Sequence, residues 1–321
     1  MLQPLKIGSL VLPTNIIQGP LAGYSCSAFR ELIWHYGNVA YCTTEMLSAN
    51  NIVHRPNQPL RYRHRSHNEK ILCVQLAGSN PDILCAATEI VNSWGAELID
   101  LNCGCPQPKI RKKNMGSALL ATPDIIYQCI SLMRQATDAA LSVKIRVSAT
   151  CDHKWNAEVA QAIESAGADV LVVHGRHWGE RYDVPVRLDD IAWFVRQLTI
   201  PVIANGDVAD YVSLKNILDT TKCAGVMVSR AGLGRPWLFK SLALQSEGLP
   251  GIEVGYDTCR ELLLRHIRSL VELDGEKVAL LQARKLLAYY FANVTLSNSQ
   301  QERHNHMRST ITTENDLISL L

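Results

Sequence analysis

The sequence predicts a (β/α)8 barrel followed by a small all-helical domain, and two observations carry this prediction. Eight short apolar runs alternate with stretches whose apolar residues recur three and four positions apart, over about 240 residues. Polar, titratable or glycine-rich residues follow nearly every run, as expected at the carboxyl ends of barrel strands. A doubly wound open sheet is the alternative fold, but no G-x-G-x-x-G pattern follows the first strand.

The predicted strands are the apolar runs at residues 15–18, 40–44, 71–76, 98–102, 142–147, 170–174, 201–205 and 225–229. Helical periodicity between them predicts helices at residues 27–35, 81–94, 124–135, 156–166, 189–198 and 212–218. The strand signal ends near residue 240, and helical patterns follow at 260–273 and 277–294. A polar stretch at 297–305 and an amphipathic segment running to residue 321 come last. We therefore place the barrel domain at 1–240 and the helical domain at 241–321.

Composition limits the class of protein. The 321 residues are 47% hydrophobic and 19% charged, as in an ordinary globular protein. The net charge of +2 is too small to indicate a nucleic-acid partner by itself. Ten cysteines are scattered along the chain, which predicts reduced thiols in the cytoplasm. The first residues lack the pattern of a signal peptide, and no apolar run approaches the roughly 20 residues of a membrane span. We expect a cytoplasmic protein with no membrane partner.

The stretch LIDLNCGCP at residues 98–106 is the centre of the predicted site. Gly104 allows a turn and Pro106 cannot join a strand ladder, so Asn102 and Cys105 are expected on a tight loop after the strand. Reactive groups of barrel enzymes occupy such loops. Cys103 and Cys105 could instead be small core residues, the usual fate of an unpaired cysteine.

Other strand ends suggest what the site binds. The loops after the last two strands supply Asn205-Gly206-Asp207 and Ser229-Arg230, and these are the loops that hold phosphate in many barrels. Lys144 could neutralise an anionic ring system such as reduced flavin, and Gln75 could bond an amide edge of the ring. FMN is the predicted cofactor. A Schiff-base aldolase with Lys144 as the nucleophile is the alternative reading.

Basic residues cluster in three places that could contact a polyanion. One run spans residues 54–70, a second spans 109–113 directly after the Cys105 loop, and the pair Arg284-Lys285 lies in the helical domain. The run beside the predicted site favours a polyanionic substrate. A solvated helix face is the ordinary explanation of the Arg284-Lys285 pair.

A resemblance to the tRNA-dihydrouridine synthase family covers the whole barrel in order. It is carried by GPLAG (19–23), VQLAG (74–78), DLNCGCP (100–106), GSALL (116–120), VKIR (143–146), VHGR (173–176), IANGD (203–207) and GRPW (234–237). The GSALL and GRPW segments resemble the bacterial B-type branch. ARK (283–285) is similar to a segment of the family's helical RNA-binding domain.

The resemblance implies reduction of the C5=C6 bond of a uridine in the tRNA D-loop, with NADPH or NADH as reductant and hydride passing from flavin to C6. Cys105 is implied as the acid that protonates C5, and Asn102, Arg146 and Tyr182 as residues that meet the uracil. Arg284 and Lys285 would contact tRNA, and we expect a monomer without a metal. The residues implied to hold FMN are Pro20, Leu21, Ala22, Gln75, Lys144, His174, Asn205, Gly206, Asp207, Ser229 and Arg230.

The chain departs from the family pattern at several positions. The usual A-P-M is Gly19-Pro20-Leu21 here, and a glycine of the last strand's G-R pair is Ser229. His177, Glu180 and Leu286 replace a threonine, a glutamine and a histidine. A tRNA-binding protein with weak or lost catalysis, or another FMN barrel enzyme, is therefore the alternative function, although Cys105, Lys144 and His174 are all present.

Overall fold

A computed structural model describes residues 2–55, 57–150 and 153–310 of the chain. Its strands are β1 (Leu5–Ile7), β2 (Leu10–Leu12), β3 (Ile16–Gln18), β4 (Cys42–Thr43), β5 (Leu47–Ser48), β6 (Leu72–Ala77), β7 (Leu98–Cys103), β8 (Ala140–Arg146), β9 (Val170–His174), β10 (Val202–Asn205) and β11 (Gly225–Val228).

The α-helices are α1 (Ser27–Tyr36), α2 (Ala49–His54), α3 (Leu60–Arg63), α4 (Pro81–Ser93), α5 (Pro108–Arg111), α6 (Pro123–Gln135), α7 (His153–Ser165), α8 (Leu188–Gln197), α9 (Tyr211–Thr221), α10 (Leu238–Ser246), α11 (Tyr256–Asp274), α12 (Glu276–Tyr290) and α13 (Asn298–Thr310). Short 3-10 helices occupy Gly116–Ala121 and Arg230–Gly232. None of the helices in the described ranges has the length and apolar character that crossing a membrane requires.

The strands from β3 to β11 form a closed parallel barrel, which confirms the predicted fold class. The hydrogen-bonded order runs β4-β3-β11-β10-β9-β8-β7-β6-β5, and pairing of β4 with β6 closes the ring. All eight predicted strands are present, although the second is divided into β4 and β5 around Glu45. Register sets Asn102 opposite Lys144, and His174 opposite both Arg146 and Asn205. Side chains from four strands, β7 to β10, therefore meet at the carboxyl end.

An N-terminal hairpin covers the opposite end of the barrel. β1 and β2 pair antiparallel, and Leu5, Ile7 and Leu12 pack with residues at the starts of the barrel strands, such as Leu98 and Val170. The sequence analysis did not predict this hairpin, because its strands have only three residues each. The hairpin buries the amino ends of the strands, so a ligand has access from the carboxyl ends.

The helices after the barrel pack as a second hydrophobic cluster against α1. Leu263, Ile267, Leu280 and Leu287 are among its buried residues, and α11 and α12 supply most of them. Residues 298–305 of the predicted polar stretch and 306–310 of the predicted amphipathic segment lie in α13, and residues 311–321 lie outside the described residues. The boundary at residue 240 stays a prediction.

Polar and steric contacts fix these helices on the barrel. Arg265 of α11 lies 2.8 Å from the carboxylate of Glu31 in α1. Gly234, in the loop that follows the last barrel strand, has φ +68°, and a Cβ there would lie 2.3 Å from the Tyr289 carbonyl carbon of α12. The loop and α12 touch backbone to backbone, and only glycine permits such a close approach.

Candidate active site

A cavity of about 630 Å³ opens at the carboxyl ends of the barrel strands. It brings together every barrel residue that the sequence analysis assigned to the cofactor, the uracil or proton transfer. Arg284 and Lys285 are not part of its wall and lie on α12. The residues lining the cavity are Pro20, Leu21, Ala22, Met46, Gln75, Asn102, Gly104, Cys105, Pro106, Gln107, Lys144, Arg146, His174, Tyr182, Asn205, Gly206, Asp207, Val208, Ala209, Met227, Ser229, Arg230 and Ala231.

The two cysteines of the Cys105 loop have different surroundings. Cys103 ends β7 and is completely buried, and burial raises the pKa of its thiol well above the usual range. Cys105 lies two residues further on, is half-buried and lines the cavity. The hydroxyl of Ser117 donates to the Cys105 carbonyl oxygen over 3.0 Å. The loop therefore presents one thiol to the cavity and hides the other.

A chain of side-chain hydrogen bonds runs under the Cys105 loop. Gln75 Nε2 donates to Asp100 Oδ2 over 2.7 Å, and Asn102 Nδ2 donates to Gln75 Oε1 over 2.8 Å. Asn102 Oδ1 then accepts the backbone N–H groups of Gly104 at 3.2 Å and Cys105 at 2.9 Å. Ser142 Oγ donates to the other oxygen of Asp100 over 2.6 Å. A carboxylate buried within β7 is thereby connected to the loop that carries Cys105.

Lys144 places a positive charge at the centre of the cavity floor. Its Nζ donates to Asn205 Oδ1 over 2.8 Å, and Asn205 Nδ2 donates to the Met227 carbonyl over 2.9 Å. Burial lowers the pKa of Lys144 to about 8, with a further decrease from the charge of Arg146. The ammonium therefore keeps most of its charge at pH 7.

His174 is surrounded by cations. Burial lowers the pKa of its imidazole strongly, and the charges of Lys144, Arg146, Arg176 and Arg230 lower it further. The imidazole is therefore neutral at neutral pH and can accept as well as donate a hydrogen bond. Arg176 is fully buried beside it, with Nη1 3.4 Å from His174 Nε2.

Asp207 is held in place by two arginines. Arg176 Nη2 donates to both of its carboxylate oxygens, at 2.7 and 2.6 Å. Arg230 lies 3.9 Å from the same carboxylate and stacks over the ring of Tyr182 at 3.8 Å. The side chain of Arg230 is half exposed, so its guanidinium can still reach an anion in the cavity.

The loop after β10 approaches its neighbours too closely for any side chain at Gly206. Its φ is +117°, and a Cβ there would lie 2.4 Å from Val186 Cγ1. Packing against Val186 therefore requires glycine here, and Gly206 also lines the cavity, where its backbone can meet a ligand. Together with Arg230, which begins the 3-10 helix after β11, it forms a cradle of the kind that binds phosphate.

Two departures from the family pattern compensate for one another. A Cβ on Gly19 would lie 2.5 Å from the hydroxyl of Ser229, so an alanine at position 19 and a serine at position 229 do not fit together. The glycine removes the methyl group that the Ser229 hydroxyl would meet. That hydroxyl lies 3.3 Å from Asn205 Nδ2 and lines the cavity. The pair therefore adds a polar group without crowding the site.

The three basic clusters differ in how much charge they expose. Arg61 is largely buried and donates to Glu45 over 2.9 Å and to Asp274 of α11, and Arg65 lies 2.8 Å from Glu97. The charge of Arg61 is therefore balanced inside the protein, and contact of this basic run with a polyanion stays a prediction. The exposed basic residues that follow the Cys105 loop are Lys109, Lys112 and Lys113, and those on α12 are Lys277 and Lys285.

Two aromatic residues of the loop between β9 and α8 are exposed, and one of them, Tyr182, lines the cavity. Trp178 is 40% exposed and Tyr182 is 54% exposed, which is high for large apolar side chains. The guanidinium of Arg111 lies 3.5 Å from the centre of a Trp178 ring. Exposed rings next to arginines are suited to stacking with unpaired bases.

Some residues of the site were missed at the sequence level. Asp100 sits inside an apolar run, and its position there was the only signal that it has a polar partner. Met46 and Met227 line the cavity but have no chemical signature in the sequence. Their role depends on which face of each strand points into the cavity. A pattern of apolar residues does not reveal that face.

Comparison with known proteins identifies the family. The sequence model described as Dihydrouridine synthase (Dus) matches residues 17–320. The chain is 33% identical over 293 residues to tRNA-dihydrouridine synthase B of Pasteurella multocida (strain Pm70), covering 90% of this chain and 87% of that protein. It is 34% identical over 292 residues to tRNA-dihydrouridine synthase B of Pectobacterium carotovorum, covering 89% of each.

Two solved structures share the fold of the chain at low sequence identity. The 6-hydroxypseudooxynicotine amine oxidase of Pseudomonas geniculata N1 aligns with TM-score 0.59 and 11% identity, over 76% of this chain and 49% of that one. A 2-naphthoyl-CoA reductase aligns with TM-score 0.58 and 10% identity, over 77% of this chain and 52% of that one. This chain thus spans about half of either structure. From its sequence relatives and the family match over residues 17–320, the chain belongs to the dihydrouridine synthase family.

Proposed function

We propose that the chain is a tRNA-dihydrouridine synthase that binds FMN and reduces the C5=C6 bond of a uridine in the tRNA D-loop. The relatives that share about a third of its sequence carry the name tRNA-dihydrouridine synthase B. The observation that carries the proposal is the position of Cys105, whose thiol lines the same cavity as Lys144 and the glycine cradle.

The residues of the cavity fit FMN. Gly206 and Arg230 would hold the phosphate, because the cradle excludes a side chain and the guanidinium is exposed to the cavity. Pro20, Leu21 and Ala22 offer an apolar wall for a flat ring. Lys144 would stabilise negative charge on the ring, and Gln75 would bond its amide edge. Bound FMN would supply hydride chemistry, with electrons drawn from NADPH or NADH.

The chain's own residues would position the uracil and move the proton. Asn102, Arg146 and Tyr182 line the cavity together with Cys105, where they could hold the base. Arg146 Nε donates to the Gly104 carbonyl over 2.9 Å, which ties it to the Cys105 loop. Cys105 would donate its proton to C5 of the uracil as a general acid, and the proton would be restored from solvent.

A uridine can reach this cavity only when it leaves its stack, which favours an unpaired tRNA loop as the substrate. Trp178 and Tyr182 would stack with neighbouring bases at the edge of the cavity. Lys109, Lys112 and Lys113, together with Arg284 and Lys285 on α12, would contact phosphates. We propose that the protein is cytoplasmic, in keeping with the unpaired cysteines among its described residues, and that it acts as a monomer.

Two measurements test the function. Nucleoside mass spectrometry of tRNA from cells with and without the gene should show one dihydrouridine lost. Purified protein with FMN, NADPH and unmodified tRNA should restore it, whereas heat-inactivated protein should not. If the wild-type protein binds tRNA but forms no dihydrouridine, the alternative of a tRNA-binding protein without catalysis is favoured. Trapping of Lys144 by borohydride and a substrate carbonyl would favour the aldolase.

The tRNA surface is tested by neutralising charges. The double variant Arg284→Gln/Lys285→Gln should weaken tRNA binding and reduce the slope of log affinity against log salt by about one unit for each lost phosphate contact. The absorption spectrum of the bound flavin should stay unchanged. Lys215→Gln, an exposed lysine on α9, is the matched control. Unchanged affinity and slope in the double variant would remove Arg284 and Lys285 from the tRNA surface.

A further inference from the structure

The chain of hydrogen bonds under the Cys105 loop has a fixed direction. Burial raises the pKa of the Asp100 carboxyl, whereas the hydrogen bonds from Ser142 and Gln75 and the charge of Lys144 favour its ionised form. As a carboxylate, Asp100 can only accept at one end, and the backbone N–H groups of Gly104 and Cys105 can only donate at the other. Each amide between them has one donor group and one acceptor group. Gln75 must therefore turn its NH2 toward Asp100, and Asn102 must turn its NH2 toward Gln75.

We propose that Asp100 is a positioning residue that sets the orientation of both amides and thereby holds the backbone around Cys105. Asp100 is only 2% exposed and does not line the cavity, so it acts through Gln75 and Asn102. Ser142 occupies its second oxygen, which leaves Oδ2 for Gln75. A polar group buried this deeply is stable only when its hydrogen bonds are made.

The orientation also decides what Asn102 can offer a ligand. Its Oδ1 accepts two backbone N–H groups and has no lone pair left, whereas Nδ2 uses one hydrogen for Gln75 and keeps the other. Asn102 can therefore present only an N–H to the cavity. This consequence rests on the proposed function: it favours a pyrimidine that offers a carbonyl oxygen over one that offers an amino group.

Asp100→Asn tests the proposal, because it keeps the shape and allows the direction to reverse. If the NH2 of Asn at position 100 faces Gln75, Gln75 turns its carbonyl oxygen toward that NH2 and its own NH2 toward Asn102. Asn102 would then turn its oxygen toward Gln75 and its NH2 toward the backbone donors. The readout is hydrogen exchange of the Gly104 and Cys105 amides in the full-length protein, resolved by mass spectrometry with fragmentation. We expect these amides to exchange about 5- to 10-fold faster than in wild type, which corresponds to the loss of one ordinary hydrogen bond.

Two further variants make the test specific. Ser142→Ala removes the other bond to Asp100 and should leave exchange at the two amides within about twofold of wild type. Gln75→Glu combined with Asp100→Asn moves the carboxylate from position 100 to position 75, the next residue of the hydrogen-bond chain. The new carboxylate accepts from the amides at positions 100 and 102, so slow exchange should be restored. If Asp100→Asn alone fails to fold, the double variant still decides.

The outcomes separate this proposal from the function. Unchanged exchange in folded Asp100→Asn, or fast exchange in the double variant, would overturn the role of Asp100 whatever the protein catalyses. Wild type that forms no dihydrouridine would overturn the function and leave the exchange measurements valid. Fast exchange in Asp100→Asn with recovery in the double variant supports the proposal, and slower reduction of uridine in single-turnover assays of Asp100→Asn would extend it to catalysis.

Discussion

Positive charges have different partners where the helices dock on the barrel and where the cavity opens. At the docking surface, Arg61 donates to the carboxylates of Glu45 and Asp274, and Arg265 pairs with Glu31. In the cavity, Lys144 donates to the amide of Asn205 and Arg146 to backbone carbonyls. Charge at the docking surface is thus balanced within the fold, whereas the cavity keeps positive charge available for an anionic ligand.

The largest expected effect concerns the docking surface. Arg61→Ala leaves the carboxylates of Glu45 and Asp274 buried without their cation, and should lower the free energy of unfolding by about 3–5 kcal/mol. Denaturant titration measures the loss. Arg63→Ala, which removes an exposed arginine from the same helix, should change stability by less than about 0.5 kcal/mol. A stable Arg61→Ala protein with a reduced salt slope for tRNA would place Arg61 with the cavity charges instead.

The next effect belongs to the cavity. Cys105→Ala should retain FMN and its reduction by NADPH but lose about 10²-fold or more in the rate of flavin reoxidation by unmodified tRNA, because general acid catalysis is removed. Cys103→Ala is the matched control. The Cys103 sulfur is buried away from the cavity, so its removal should lower stability through lost packing and change the reoxidation rate little. Anaerobic single-turnover reoxidation compares the two. A fast Cys105→Ala beside an inactive Cys103→Ala would reverse the assignment.

A smaller effect should appear at the phosphate end of the cavity. Gly19→Ala places a methyl group 2.5 Å from the Ser229 hydroxyl and 2.9 Å from Met227, which should cost about 1–3 kcal/mol of stability. Ser229→Gly in the same chain should recover more than half of that cost, as expected for residues in contact. A double-mutant cycle by denaturation measures the coupling. Additive costs would show that the two departures from the family pattern are unrelated.

The smallest effect is the pH dependence of Lys144. Its pKa of about 8 lies below the value near 10.4 of an unfolded lysine, so the unfolded chain binds more protons between these values and stability rises with pH. From pH 7 to pH 9, flavin-free wild type should gain about 1 kcal/mol relative to Lys144→Met. Denaturant titrations of both proteins at several pH values provide the difference. Parallel curves would mean that Lys144 titrates as an ordinary surface lysine.

The sequence predicts the barrel well because each strand is marked twice, by an apolar run and by the polar residue that ends it. Residues 98–102 and 170–174 were predicted on that basis and lie in β7 and β9. The three-residue strands of the N-terminal hairpin are too short for any period to appear. The helix at 298–310 was read as a polar stretch, because few apolar residues mark a buried face there.

The site was predictable where a residue type states its chemistry, as with Cys105 and Lys144. It was not predictable where long-range partners decide the role. Arg61 looked like a surface cation, but its carboxylate partner Asp274 lies 213 residues along the chain. Asp100 lies inside an apolar run, and only its hydrogen bonds to Gln75 on β6 and Ser142 on β8 suggest the role proposed for it.

Closure of the barrel through β3 and β11 has a consequence for biosynthesis. Ile16–Gln18 must wait for Val226–Val228, which leave the ribosome about 10–40 s later at ordinary rates of translation. Through that interval the edge of β3 that will receive β11 has no strand to bond. A nascent chain with such an open edge is a target for chaperones and for unwanted pairing between copies. Slow translation after residue 18 should therefore reduce the yield of folded protein more than slow translation after residue 228.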